Sequence, residues 1–323
     1  MRNALLLMLP MLLAACGGCG PKPPGETPPL LVFGRSGTGP GEFNYPRAAT
    51  VGPDQTLYVI DKAGRLQAFS PAGEFLRAWR MPAIDAGKPT GLGIGPDGRI
   101  YAADTHYSRV LVFAPDGRLV EQFGTHGDGP GQFRLPTDVA VAPDGTIFVS
   151  EYGGNDRISV FAPGWRFLRS FDGRDDGRGT RFERPQALSL DRDGTLWVAD
   201  AGNHRICHFS RAGRLLGTFG RPGHDAGQLW FPYDVAVLAD GTLVVCEYGN
   251  NRVQRFDRDG RSLGIWGRAG RRPGELAYPW ALAPGTGDRL YVIDSGNNRV
   301  QVIDAGHRNT WSMPRSKGPA EAG

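Results

Sequence analysis

The chain has 323 residues, of which 48 are glycine and 26 proline, a density of turn formers that excludes a bundle of long helices. Its 37 basic and 33 acidic side chains leave a formal charge of +4 and a pI near 9.0, with no run of like charge dense enough for a nucleic-acid partner. Of four cysteines only Cys16 and Cys19 are closely spaced, so neither a zinc knuckle nor a disulfide framework is implied, and Cys207 and Cys246 fall inside apolar strand patterns as small core residues.

In chain order, Arg2 precedes the apolar run Ala4 to Leu13, which is too short to span a bilayer and reads as a targeting segment. It ends in Leu13-Ala14-Ala15-Cys16, which resembles the lipobox of bacterial lipoproteins. The resemblance implies that residues 1–16 are a signal peptide and lipidation site, with the lipid on Cys16. The body would then sit in the bacterial cell envelope outside the cytoplasm, periplasmic or at the outer membrane, with the membrane as one partner. Residues 17–29 (GGCGPKPPGETPP) contain nothing that could enter a core, and their prolines favour an extended tether.

From residue 30 onward the chain repeats. A proline opens each unit at Pro46, Pro89, Pro136, Pro185, Pro232 and Pro279, and an acid follows in the same register at Asp61, Asp104, Glu151, Asp200, Glu247 and Asp294. Each unit reads as four short strands, A to D, separated by turn chemistry such as Pro143-Asp144-Gly145. Strand B is apolar almost throughout (LYVI, IYAA, IFVS, LWVA, LVVC, LYVI), as expected of a strand covered on both faces. Such a unit cannot bury two faces alone, so the units are expected to stack radially as an all-β, six-bladed β-propeller over residues 30–304. The last unit stops after strand C at Ile303, while the opening Leu30-Leu31-Val32-Phe33-Gly34 matches the strand D ending Leu215 to Gly220. The N-terminal strand is therefore expected to complete the last blade and close the ring, which removes two exposed sheet edges. Residues 305–323 read as a polar C-terminal tail.

Stretches such as Asp294-Ser295-Gly296-Asn297-Asn298-Arg299-Val300-Gln301 and Asn250-Asn251-Arg252-Val253-Gln254 resemble the NHL repeat. The resemblance implies a propeller and says little about activity, since one fold hosts many functions. NHL propellers include RNA-binding and protein-binding proteins and a zinc-dependent amidating lyase. That lyase holds zinc with histidines directly after the blade-opening prolines. This chain has Arg47, Thr90, Thr137, Gln186, Tyr233 and Trp280 there instead. His204 and His208, placed on one strand, would lie about 13 Å apart and could not share an ion.

The start of strand A, the end of B and the start of C emerge on one face of the ring. Arg65, Arg109, Arg157, Arg205, Arg252 and Arg299 each follow a strand B acid closely, in the pattern of a repeated structural salt bridge. Two blades depart from the pattern. Where four blades carry Ala48, Gly91, Ala187 and Ala281, blades three and five carry Asp138 and Asp234, and the same blades end strand B in Glu151-Tyr152 and Glu247-Tyr248. These four carboxylates, with Arg47, Gln186, Tyr233 and Trp280, are the candidate ligand-binding set at the channel mouth. Asp138 and Asp234 are also the candidate ligands for calcium, the one cofactor the sequence suggests. No GxSxG elbow, Walker loop or HExxH motif occurs, and no catalytic set is assigned. The expected role is a monomeric, lipid-anchored platform for an envelope protein, peptide or small ligand. The alternative is a calcium-assisted hydrolase or lactonase, by analogy with gluconolactonase-like propellers.

Overall fold

The computed structural model describes residues 27–174 and 180–312. Cys16, the signal peptide, most of the tether and residues 313–323 lie outside them. The described chain forms six four-stranded antiparallel sheets, each ordered A-B-C-D from the centre outward, around a central channel. In blade three the strands are Leu135–Val141, Ile147–Tyr152, Arg157–Phe161 and Phe167–Phe171. Blade six is built from Ala281–Pro284, Arg289–Asp294, Arg299–Asp304 and, as its fourth strand, Leu31–Phe33 from the other end of the chain. Leu31 faces Val302 and Phe33 faces Val300, so the ring closes as the repeat register requires.

The apolar strand B follows from its position between two neighbours. Successive side chains of a strand point to opposite faces, and here they enter opposite blade interfaces: Tyr58 and Ile60 pack against blade two, Leu57 and Val59 against blade six. Five of the six apolar clusters straddle two adjacent blades, and the sixth, between blades six and one, extends to Ala201 of blade four and Tyr233 of blade five, so the core is a ring of interfaces. Cys207 and Cys246 are buried in two of these clusters as small core residues. Strand D, at the outer edge, alternates half-buried and exposed residues, as in Phe75–Arg80.

The acid and arginine of each blade form an ion pair, from Asp61–Arg65 at 2.7 Å and Asp104–Arg109 at 2.8 Å to Asp294–Arg299 at 2.7 Å. All six acids have fully buried side chains. In every blade but the second the arginine then reaches the loop that enters the same blade: Arg299 donates to the carbonyls of Arg271, Arg272 and Glu275, and Arg252 to those of His224, Asp225 and Gln228. The acid accepts from the amide at the far end of that loop, Ala277 for Asp294 and Trp230 for Glu247. The repeated glycine-rich text is thus a connection whose buried carbonyls are satisfied by one guanidinium.

Ala305–Ser312, expected as tail, instead folds back on blade five. Trp311 is buried in the cluster between blades five and six, and Ser312 pairs with Ile265. A side chain at Gly264 would meet the Trp311 Cβ at 2.6 Å, so the glycine makes the berth. A lone tryptophan among polar residues has no periodicity, and the sequence pattern therefore missed it.

Candidate functional site

The innermost strands enclose a channel of about 320 Å³ whose wall is strand A of every blade. In blades one, three, four and five a register shift follows the opening proline, as between Pro46 and Ala48 or Pro232 and Asp234. The bulged residue is released from the pleat and can be re-aimed. In blade three it is Thr137, which is buried and ties Ser150 Oγ to the Pro185 carbonyl of blade four. In blades one, four and five it is Arg47, Gln186 and Tyr233, all of which line the channel together with Trp280 of blade six.

The residue before the proline is forced into the left-handed region in four blades: Tyr45 at φ 52°, Arg184 at 54°, Phe231 at 48° and Tyr278 at 48°. Such a conformation is costly for a bulky residue and persists only where the surroundings hold it. The holder is a side chain of the preceding blade that accepts from its amide: Asn298 Oδ1 from Tyr45 at 2.6 Å, Asp156 Oδ2 from Arg184 at 2.6 Å, His204 Nδ1 from Phe231 at 3.0 Å and Asn251 Oδ1 from Tyr278 at 2.7 Å. His204 is therefore a latch between blades four and five, just ahead of strand C, while His208 within that strand stacks on Trp197.

Because Nδ1 accepts, the latch needs a neutral imidazole, and burial holds His204 below its ordinary pKa. With a folded-state pKa below the unfolded one, the contribution is full above about pH 6.5 and is lost as pH falls from there through the folded-state value. His204→Asn, which copies blades five and six, is expected to keep the latch and flatten this acid loss. Melting temperatures of both proteins between pH 5 and 8 check it, and parallel curves would argue against the latch.

Aromatic side chains gather at the mouth, Tyr45 from a left-handed residue and Tyr233 from a bulge. Tyr233 stacks on Tyr248 at 4.3 Å between centroids, and Trp280 meets Tyr233, Tyr248 and Tyr45 edge-on at 4.9, 5.7 and 5.9 Å. Two guanidinium groups lie over these faces, Arg47 on Trp280 at 5.1 Å and Arg184 on both Tyr233 at 5.2 Å and Tyr152 at 5.3 Å. Burial pushes the Arg47 pKa down and the Tyr233 pKa up.

Below the mouth are Asp138 and Asp234. Each carboxylate spans to the next blade: Asp138 Oδ2 accepts from the Leu188 amide of blade four at 2.9 Å, and Asp234 Oδ2 from the Leu282 amide of blade six at 2.7 Å. They cap amides on the open inner edge of the sheet, which has no further strand to pair with. Enclosure by protein pushes Asp138 up to about 7, and Asp234 is raised by burial first and by the Asp138 charge second. Blade two makes room for Asp138 and its strand. A Cβ at Gly91 would lie 2.5 Å from Asp138 Oδ1, and one at Gly93 would lie 2.1 Å from the Val139 carbonyl.

Six of the eight candidates, Arg47, Asp138, Gln186, Tyr233, Asp234 and Trp280, thus meet in one channel. Glu151 and Glu247 do not join them: they are fully buried in the loop clamps, bound to Arg157 at 2.5 Å and Arg252 at 2.6 Å. The change that accompanies Asp138 and Asp234 at the mouth is the following tyrosine, Tyr152 or Tyr248. Arg184 was not among the candidates, and its position before a blade-opening proline was the available signal. Asp138 and Asp234 supply two carboxylates with amides already bound, whereas calcium takes six to eight oxygens. Among the described residues no group of three or more His, Cys, Asp or Glu is placed to hold a metal ion.

A family model, the NHL repeat, matches residues 182–209, 229–256 and 276–303, which are the entering loop and strands A to C of blades four, five and six. Human NHL repeat-containing protein 3 is 29% identical over 182 residues, covering 49% of this chain and 49% of its own length. Peptidyl-glycine alpha-amidating monooxygenase A of Xenopus laevis is 33% identical over 206 residues, covering 58% of this chain and 21% of its own. The chain thus spans half or less of the length of these relatives. Among solved structures, a streptogramin B lyase superposes with a TM-score of 0.61 at 16% identity, over 84% of this chain and 96% of that one, which establishes the propeller fold and nothing finer.

Proposed function

We propose that this NHL-repeat propeller is a binding module that takes its ligand, a protein segment, peptide or small molecule, at the aromatic mouth of the channel, and that it works in the bacterial envelope on a lipid carried by Cys16. The observation that carries the reading is the convergence of Arg47, Arg184, Gln186, Tyr233, Tyr248 and Trp280 on one opening, four of them from bulged or left-handed backbone. Strained backbone and re-aimed side chains concentrate at functional sites. Aromatic faces with a few polar groups are also the usual lining of a ligand site.

The test is native mass spectrometry of the soluble propeller after exposure to an envelope extract. The wild type is expected to retain a ligand or partner that Gln186→Ala plus Tyr233→Ala releases, with melting curves showing both proteins folded. Equal retention by both, or none by either, would remove the mouth as the site. Replacing Cys16 by Ser is expected to release the full-length protein from membranes, and continued membrane association would sink the anchor.

The second reading is a calcium-assisted hydrolase or lactonase, favoured by Asp138 and Asp234 meeting in one channel. Elemental analysis decides for it if about one calcium per chain vanishes in Asp138→Asn plus Asp234→Asn, and against it if a folded wild type carries none.

A further inference from the structure

We propose that the mouth recognises a monoanionic carboxylate attached to a flat apolar body, gripped by Arg47 and Arg184 and seated against Tyr233 and Trp280. The inference deepens the binding-module reading and rests on it. Throughout the rest of the ring the strand-starting arginines are matched to acids. Arg47 and Arg184 are not: neither forms an ion pair among the described residues, and Arg184 Nε donates only to the neutral Gln186 Oε1 at 3.1 Å. Arg47 makes no hydrogen bond there, its Nε is buried, and it rests on Trp280. Trp280 is 8% exposed, and its indole N–H is likewise buried without an acceptor.

Buried donors are satisfied almost without exception, so unmatched ones in a cleft call for a partner. What is missing here is acceptor oxygen with negative charge, the chemistry that guanidinium groups match in a carboxylate. The charge of the ligand is limited from below. Asp138 and Asp234 lie in the same channel, and at pH 8, above the Asp138 pKa of about 7, charge there penalises a phosphate dianion more than a carboxylate monoanion. The stacked tyrosines supply a face for a planar group rather than for a hydrated sugar. A free small aromatic acid and the C-terminal residue of a peptide present the same chemistry.

The experiment is isothermal titration calorimetry on the propeller with N-acetylphenylalanine, its C-terminal amide, a tripeptide ending in free phenylalanine, and inorganic phosphate. The acid is expected to bind at least about 10-fold more tightly than its amide and than phosphate. Arg47→Gln or Arg184→Gln should each cost about 10-fold or more, from the worth of a charge-assisted hydrogen bond. Arg35→Gln, at an exposed arginine that pairs with Glu42 and does not line the channel, should bind as wild type. Since Arg47 and Arg184 hold no ion pair and would give up only aromatic contacts and one hydrogen bond to Gln186, the two mouth variants should stay folded and melt within about 4 °C of wild type, which separates lost binding from lost folding. Tighter binding of the tripeptide than of the free acid would assign the source to a peptide terminus, and the reverse to a small molecule. Equal binding of acid and amide, tighter binding of phosphate, or no binding of any carboxylate at 10 mM would overturn the carboxylate assignment. The extract experiment would still judge the binding module separately.

Discussion

Arg299→Met is expected to destabilise the propeller by about 3–5 kcal/mol, the scale for breaking one partner out of a buried ion pair. For a domain of this size that corresponds to a melting temperature lower by roughly 6–20 °C. The reason is double. Asp294, with a fully buried carboxylate, would keep only Asn297, Gln301 and the Ala277 amide, and the Arg271 carbonyl would lose its donor while those of Arg272 and Glu275 would keep only the Glu275 amide and Gln301 Nε2. Arg109→Met provides the comparison. Arg109 is 20% exposed at its side chain, and its hydrogen-bond partners among the described residues are Asp104 and the surface Gln122, with no loop carbonyl. Its loss is expected to be clearly smaller. Equal losses in thermal or urea unfolding would show that the loop clamp contributes nothing beyond the ion pair.

The second large effect has the opposite sign. Asp138→Asn is expected to stabilise the protein at pH 8, by about 1–3 kcal/mol once the partial opening of the channel to water is allowed for, and to do little at pH 4. The Asp138 pKa rises from the ordinary carboxylate range to about 7 in the folded chain. Between those values the folded state holds a proton that the unfolded state has released, so stability falls as pH climbs through the window. An asparagine keeps an acceptor for the Leu188 amide and never ionises. Asp234→Asn should act in the same direction, since Asp234 is raised by burial and by Asp138. Urea unfolding at pH 4 and pH 8 measures the effect. A cation in the channel would reverse it: in calcium the double variant would then be the less stable protein at pH 8.

What the sequence made legible was everything that repeats. The prolines, the strand B acids and the following arginines kept one register, so the blade count, the closing strand and all six ion pairs could be read before any coordinates. What stayed hidden was set by single positions. Glu151 and Glu247 differ from aspartate in the alignment of the repeats yet do the same work, because one extra methylene is absorbed within the clamp. Arg184 reaches the mouth from a left-handed residue, and Arg47, Gln186 and Tyr233 from bulges. Such local backbone changes leave no periodic signature. His204 read as one of two histidines on a strand, and its role as a latch became visible only when its partner, 27 residues away, was known to be the Phe231 amide.

The closing strand also makes the ring a mechanical device. At the seam itself, a pull on the amino end would peel the three-residue strand one bond at a time, starting from the Leu31–Val302 pair. That is a weak fastening. The force, however, arrives through Thr27, whose carbonyl accepts from Trp266 Nε1 at 3.1 Å and whose hydroxyl donates to the Asn309 carbonyl at 2.5 Å. These two bonds pass tension to blade five and to the folded-back C-terminal segment before it reaches the seam, as a knot in a cord spares the stitching behind it.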